Sequence, residues 1–386
     1  MAITKDSYLT NNNARIIRGG SDYFDLMISM IDRAKEIIHL QTYIFEEDDT
    51  GKMVIEALIR AAQKKIEIYV IVDGYASQNL SNRTLERLEK AVIHLRFFEP
   101  LWKSKQFYFG RRLHQKVMVV DSTTALVGGM NISDNYNDIN GSKAWFDFAI
   151  YMEGAIANDL CVLCWKTWRG FSKNFIKAPC NIEPLPYYGD TALRMRRNDW
   201  VRQKIEISNT YGEMLKNAQN HITIVGSYFL PGKSIRKLLT DASKRGLKIT
   251  IITAGKSDIK IFKHAERWLY DWLLRRNITI YEYQPTILHA KIALCDSKWL
   301  TIGSYNMNSL SYFASVELNI DTIHKPLVQE MDAIIAEIIE KDCIEVDLNS
   351  PHIKTTPFTH FIRWCSFQFL KLTFNLFTFY YKSEDS

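Results

Sequence analysis

Apolar positions recur along this chain in two alternating rhythms. Over 22–37, Phe24, Met27, Ile28, Ile31 and Ala34 keep the spacing of an amphipathic helix. EIIHLQTYIF (36–45) then runs in β-branched and aromatic residues, as a strand does. The pattern predicts a helix over 51–65 with Val54, Leu58 and Ala61 on one face, and a strand in KIEIYVIVDG. A polar helix over 81–91 and a strand in VIHLRFF (92–98) follow, then the strands KVMVVD, ALVGGMN and WFDFAIYMEG.

The same order then repeats. A helix over 211–218, a strand in HITIVGSYFLP, a helix over 234–245 and a strand in LKITIITAG lead to a long helix over 259–276. ITIYEY, KIALCD, WLTIGSYN and FASVELNI complete the second series. Tyr43 in QTYIF corresponds to Tyr228 in GSYFL, and His114 to His289, with loops absorbing a small drift in offset. A repeat this long is a duplicated domain, not a solenoid unit. Alternating strands and helices predict the α/β class, as two similar domains of sheets covered by helices. The expected boundaries are 1–180 and 190–345, joined by a proline-bearing linker near 178–188, with a separate tail at 355–386.

The chemistry sits in a pattern present once per half. Residues 114–131 read HQKVMVVDSTTALVGGMN and residues 289–306 read HAKIALCDSKWLTIGSYN. In a strand, His114 and Lys116 share a face, as do His289 and Lys291. Asp121 and Asp296 end their strands, and a returning strand brings Asn131 and Asn306 back toward the His–Lys edge. Glycines 128, 129 and 303 are expected to let backbone approach a ligand closely. Halves packed about a pseudo-twofold axis would pool two imidazoles, two ammonium groups and two amides. The cations can neutralise the nonbridging oxygens of a phosphodiester, one neutral imidazole can attack phosphorus, and the other, protonated, can serve the leaving alkoxide. The attacking imidazole needs its Nδ1 proton held, which a carboxylate does well. Asp147 in WFDFAI and Glu317 in SVELNI occupy equivalent places, each expected to complete its own half; the competing reading is a structural ion pair at each. Neither pattern has metal-ligand spacing, so no metal and no cofactor are expected.

These strings resemble the H-x-K-x4-D motifs of the phospholipase D superfamily, and both copies carry the G-[GS]-x-N extension. The likeness is closer to bacterial cardiolipin synthases. It lies in the block from GGSDYFDLMISMIDRAKEIIHLQTYIF to VIVDG, in GSYFLPGKSIRKLLTDASKRGLKITIITAGKSD and in YEYQPTILHAK, and spans about 16–320. The resemblance implies two mixed-sheet domains with one shared site, and phosphatidyl transfer through a phosphohistidine to phosphatidylglycerol. It assigns catalysis to His114, Lys116, Asn131, Asp147, His289, Lys291, Asn306 and Glu317, and a structural role to Asp121 and Asp296. Ser304, where the first copy has Gly129, becomes a candidate phosphate-binding hydroxyl. His114 is favoured as nucleophile and His289 as acid. The donor stays open among phosphatidylglycerol, phosphatidylethanolamine and a CDP-activated lipid. Hydrolysis on the same scaffold, by a phospholipase or less so a nuclease, is the alternative, and a membrane-binding scaffold without activity is a third reading.

Composition narrows the partners. A net charge of +6 over 386 residues suits an anionic partner without choosing one; the paired motifs and the aromatic tail favour lipid over nucleic acid. In the tail, Phe358, Phe361, Ile362, Cys365, Phe369, Leu372, Leu376 and Phe379 recur at helical spacing, and Trp364, Tyr380 and Tyr381 suit an interface. The expected helix lies on a bilayer; packing on the core is the competing reading. No leader and no spanning run are legible, so the chain resembles a short form held peripherally at the cytoplasmic side of the cell membrane. Basic runs at 103–112 and Arg194–Arg197 are candidates for headgroup contact, the second more simply a solvated face. The six cysteines read as reduced, with Cys161 and Cys164 as buried apolar positions on a helix.

Overall fold

The computed structural model describes residues 8–100, 111–170, 178–180, 185–350 and 353–382, with side chains to Phe374. In the first half, β1 (Asn12–Arg18), β2 (Ile37–Thr42), β3 (Glu67–Asp73), β4 (His94–Phe98), β6 (Lys116–Val120), β7 (Thr124–Gly128) and β8 (Phe148–Gly154) form one sheet. Its order is β1-β8-β7-β6-β2-β3-β4. The short β5 (Arg112–Leu113) leaves it to pair with the other half. Helices α1 (Ser21–Arg33), α2 (Asp49–Gln63), α3 (Asn82–Lys90) and α4 (Ala155–Trp168) cover the sheet.

The second half opens with β9 (Leu193–Asp199), β10 (Lys204–Ile205), α5 (Glu206–Asn217), β11 (His221–Gly226), α6 (Lys233–Lys244), β12 (Lys248–Ala254) and α7 (Lys260–Leu274). It continues through β13 (Ile278–Tyr283), β14 (Lys291–Cys295), β15 (Trp299–Gly303), α8 (Ser309–Phe313), β16 (Ser315–Thr322), α9 (Lys325–Asp342), β17 (Cys343–Val346) and α10 (Pro357–Lys382). The run β9-β16-β15-β14-β11-β12-β13 repeats the first sheet strand for strand, with β10 and β17 added at its edges. Both sheets are mixed. β2–β3–β4 and β11–β12–β13 are parallel, whereas the motif hairpins β6–β7 and β14–β15 are antiparallel.

Strand β6 is buried on both faces, which explains its unbroken apolar run. Met118 and Val120 face the core under α1 and α2, while Val117 and Val119 face a second core with α4. That second core also contains Leu318 and Ile320 of β16, so the two halves are joined by apolar packing. A further core sets Phe146 and Phe148 against Leu288, Ile292 and Ile302 of the second half and against α9.

Several expectations are corrected. The edge strand β1 and its counterpart β9, which only the two-residue β10 flanks, break the apolar pattern and are not legible as strands. Arg194–Arg197 is not a solvated run but part of β9, and buried Arg194 pairs with Asp321 at 2.9 Å. Cys161 and Cys180 form a disulfide, whereas Cys164 stays a buried thiol. The reading of six reduced cysteines therefore fails, and with it the ground for a reducing compartment. Residues 103–110 of the first basic run lie outside the described residues.

The competing reading of the tail, packing on the core, holds for one face of α10, and the opposite face is exposed. Leu370 and Phe374 join the second-half core beside α7. Phe358, Phe361, Trp364, Phe369 and Leu372 are exposed, while the side chains of Leu376 and Phe379 lie outside the described set. Among the described residues no helix is long and apolar enough to cross a membrane.

Candidate active site

The motif aspartates build the platform. Asp121 accepts from the backbone N–H groups of Lys35, Glu36 and Ile37, and Asp296 does the same for Gln219, Asn220 and His221. Each begins a turn in which it and the following serine have positive φ, an uncommon conformation for non-glycine residues that the three hydrogen bonds help hold. Both carboxylates thus tie a hairpin to the strand beside it, at the end of the sheet away from the histidines.

At the other end the halves exchange partners. The His114 N–H donates to the carbonyl of Val316 at 3.0 Å, and the His289 N–H to that of Phe146 at 2.7 Å. Each acceptor immediately precedes the carboxylate of its half. In consequence His114 Nδ1 meets Glu317 Oε2 at 2.9 Å, and His289 Nδ1 meets Asp147 Oδ2 at 2.6 Å. The expected pairing within each half is therefore corrected: every imidazole is oriented by the opposite half. Spacing along the chain could not reveal this, because β5 crosses to lie parallel to β16.

The cluster is electrostatically one unit. Burial lowers the proton affinity of both imidazoles, that of His289 to about 3, and the lysine of the same motif and then that of the opposite motif lower each further. Both carboxylates oppose that shift for their own partner. Burial pulls Lys116 down to about 7 and Lys291 to about 8, and both carboxylates raise each. Each lysine donates to the carbonyl of its own motif histidine, Lys116 at 2.6 Å. Free imidazoles are therefore neutral at neutral pH, each held at Nδ1 by its carboxylate, with Lys291 Nζ also 3.0 Å from His289 Nδ1.

The two sides differ. The His289 side chain is 6% exposed against 15% for His114. Rings of Tyr136 and Trp145 pack at 5.1 and 5.9 Å from His289, while Tyr43 packs edge-on to His114 at 5.0 Å. Among the described residues His114 Nε2 has no hydrogen-bond partner, whereas His289 Nε2 lies 3.4 Å from the Tyr136 hydroxyl.

A model of the "Cardiolipin synthase, PLD-like domain" family matches residues 27–146 and again 211–339. The chain belongs to this family. Cardiolipin synthase B of Escherichia coli strain K12 is 31% identical over 352 residues, covering 89% of this chain and 84% of that protein. A probable cardiolipin synthase of Bacillus subtilis is 25% identical, covering 86% of this chain and 67% of that protein. The fold matches the crystal structure of phosphatidylserine synthase from Haemophilus influenzae with a TM-score of 0.74 at 13% identity, over 96% of each chain.

Other motif positions are tied into the scaffold around the histidines. Asn131 accepts from the Ile44 N–H at 3.1 Å and donates to Tyr136 at 2.8 Å. Asn306 lies 3.5 Å from the Ser227 hydroxyl, and its N–H meets Ser311. Ser304 donates to Glu317 at 2.5 Å, so its hydroxyl serves the carboxylate and is not open to phosphate. The first copy needs glycine at the matching place, since a Cβ on Gly129 would lie 2.4 Å from Asp147 Oδ2. Gly128 and Gly303 likewise admit a neighbouring strand, with Phe148 and Leu318 carbonyls at 2.7 and 2.3 Å from a Cβ, rather than a ligand. Two site residues were missed. Asp73, fully buried at the end of β3, accepts from the Leu113 N–H at 2.8 Å and from Arg112, holding β5 beside His114. Tyr136 stands five residues after Asn131, as Ser311 stands five after Asn306, a shared register that could have drawn attention to both.

Proposed function

We propose that this chain is a cardiolipin synthase-type phosphatidyltransferase, working through a covalent phosphohistidine. The observation that carries this reading is the pair of imidazoles, each bound at Nδ1 by a buried carboxylate of the opposite half and each electrostatically coupled to both motif lysines. Catalysis is assigned to His114, Lys116, Asn131, Asp147, His289, Lys291, Asn306 and Glu317. The more exposed His114, with Nε2 unengaged, is the nucleophile.

Nε2 of His114 bonds to phosphorus as the bond to the departing glycerol oxygen breaks. His289 supplies the proton that leaves with that oxygen. It is neutral in the free site, and the phosphodiester anion arriving beside it favours its protonated form. Lys116 and Lys291 neutralise the charge spread over the nonbridging oxygens. The hydroxyl of a second phosphatidylglycerol then gives its proton to His289 and attacks the phosphohistidine, which regenerates His114. The net change is two phosphatidylglycerols to cardiolipin and glycerol. The 31% identity to a cardiolipin synthase along most of both chains supports phosphatidylglycerol as substrate, and the exposed apolar face of α10 supports peripheral attachment to the bilayer.

Purified protein given labelled phosphatidylglycerol in mixed micelles is expected to yield cardiolipin and free glycerol, with undiminished rate in excess EDTA. His114→Ala and His289→Ala should each lower turnover by on the order of 10²–10⁴-fold. Phosphatidic acid formed without cardiolipin would replace transfer by hydrolysis.

A further inference from the structure

Beside the site, in the second half, lies a cavity of about 770 Å³. Its walls are α5, α6, α8 and the inner face of α10. Leu230, Leu238, Met307, Phe367, Leu370 and Phe374 give it an apolar lining. Tyr305, Met307 and Asn308 also line it, so one wall is the stretch of chain that carries Asn306. Its charged residues are Lys216, Lys233, Arg236 and Lys371 against the single carboxylate of Glu213. Lys216, Lys233 and Lys371 are exposed and form a cationic rim.

Two glycines keep this space open. Gly212 lies inside α5, where glycine is destabilising relative to alanine. No packing demands it, since a Cβ there would meet only Leu238 Cδ1 at 3.9 Å. Gly232, before α6, would meet only Ser309 Oγ at 3.7 Å. An apolar cavity of this size with a few polar groups at its edge has the form of a ligand site. On the same helix that walls it, Phe369 and Leu372 point outward and are exposed, so a bilayer met by that face lies next to the rim.

The transfer reaction requires a second phosphate to be held. While the His–Lys cluster carries the phosphohistidine, the acceptor phosphatidylglycerol brings its own phosphodiester, which does not react and cannot share that cluster. We propose that the cavity is the acceptor subsite: it receives an acyl chain of the incoming phosphatidylglycerol, and Lys216, Lys233, Arg236 and Lys371 hold its intact phosphate. This rests on the transferase reading above, and it adds a site to it. The rim fits an anionic headgroup and gives a zwitterionic one no matching anion-binding advantage.

The test fills the cavity at Gly212. Gly212→Leu and Gly212→Phe in the full chain should keep or raise the melting temperature, because both residues suit a helix better than glycine. Each should raise the KM for long-chain phosphatidylglycerol as acceptor by at least about tenfold. The loss should be confined to the second half-reaction, leaving the burst of phosphoenzyme as large as in the wild type, and should vanish with dihexanoyl phosphatidylglycerol. An equal loss with short and long chains, an equal slowing of the burst, or no loss would each overturn the proposal.

A second measurement is independent of turnover. His114→Ala protein is irradiated with phosphatidylglycerol bearing a photoreactive diazirine near the end of one acyl chain, and the labelled peptides are mapped. Label is expected in α5, α6 and the inner face of α10, reduced by Gly212→Phe and by Lys233→Glu/Arg236→Glu, and absent with matching phosphatidylcholine. Label confined to the outer face of α10 would mean bilayer contact alone and would sink the subsite. If wild-type protein makes no cardiolipin yet the cavity is labelled, the transferase reading fails while the lipid site stands.

Discussion

His114 and His289 carry the same side chain in unlike settings, and the difference can be measured. Glu317→Gln removes the carboxylate bonded to His114 Nδ1; with His114 as the proposed nucleophile, it should cut formation of the phosphoenzyme by on the order of 10²–10⁴-fold with little change in KM. Asp147→Asn should instead weaken the step served by His289. A substrate with a p-nitrophenolate leaving group needs little protonation, so it should rescue phosphoenzyme formation, read as the p-nitrophenolate burst, in Asp147→Asn and His289→Ala but not in Glu317→Gln or His114→Ala. Rescue of the opposite pair would reverse the roles of the two histidines. The lysines set the alkaline limit. Both are cations below their lowered values of about 7 and 8, and rising pH discharges them in that order. The kcat/KM for the free protein should therefore fall across that interval, and Lys116→Arg, which stays charged, should move the fall upward if it retains activity. A profile flat to pH 10 would exclude the ammonium groups as the phosphate clamp. Burial, not sequence, sets these values, which is why the residues were legible in the motif and their titration was not.

At the scale of elements, the central strands were legible because they are buried on both faces and read as continuous apolar runs. β1 and β9 were not. NNARIIR and LRMRRND sit at or near sheet edges, where one side of each strand meets solvent or pairs with charge, and Arg194 is buried only because Asp321 lies opposite it. The disulfide was equally hidden: Cys164 is near in sequence, but the partner of Cys161 comes from the connecting segment at Cys180. Helix α10 combines two amphipathic patterns, which one stripe of aromatics could not separate. Its faces make distinct predictions. Phe361→Ser with Phe369→Ser, on the outer face, should weaken binding to anionic vesicles by roughly tenfold or more per residue and leave the melting temperature unchanged. Leu370→Ala, on the inner face, should cost about 2–5 kcal/mol of stability. Unchanged vesicle binding in the outer-face double variant would make that ridge a protein contact.

For the whole molecule, the duplication was plain from two motif strings, but the relation between the copies was not. A string shows what each half contains; only the packing of β16 against β7 and of Phe146 against Leu288 decides which half uses it. The exchange has a thermodynamic signature. Because Glu317 acts through His114, adding Glu317→Gln to His114→Ala should cost almost nothing more, although the residues stand 203 positions apart. Full additivity of the two losses would uncouple them.

Exchanged carboxylates also bear on how such a chain could arise. A single half, paired with an identical copy about the same axis, would already trade one Nδ1 partner for another and possess a complete site. Joining the copies adds no catalytic group; it adds only the connection between α4 and β9. What joining releases is symmetry. Identical subunits must change together, whereas tied ones can drift apart, and this chain has done so. Gly129 corresponds to Ser304 and Tyr136 to Ser311, and the second half holds a cavity of about 770 Å³. Giving and receiving a phosphatidyl group are different tasks, and a site with two unlike ends can perform them in order.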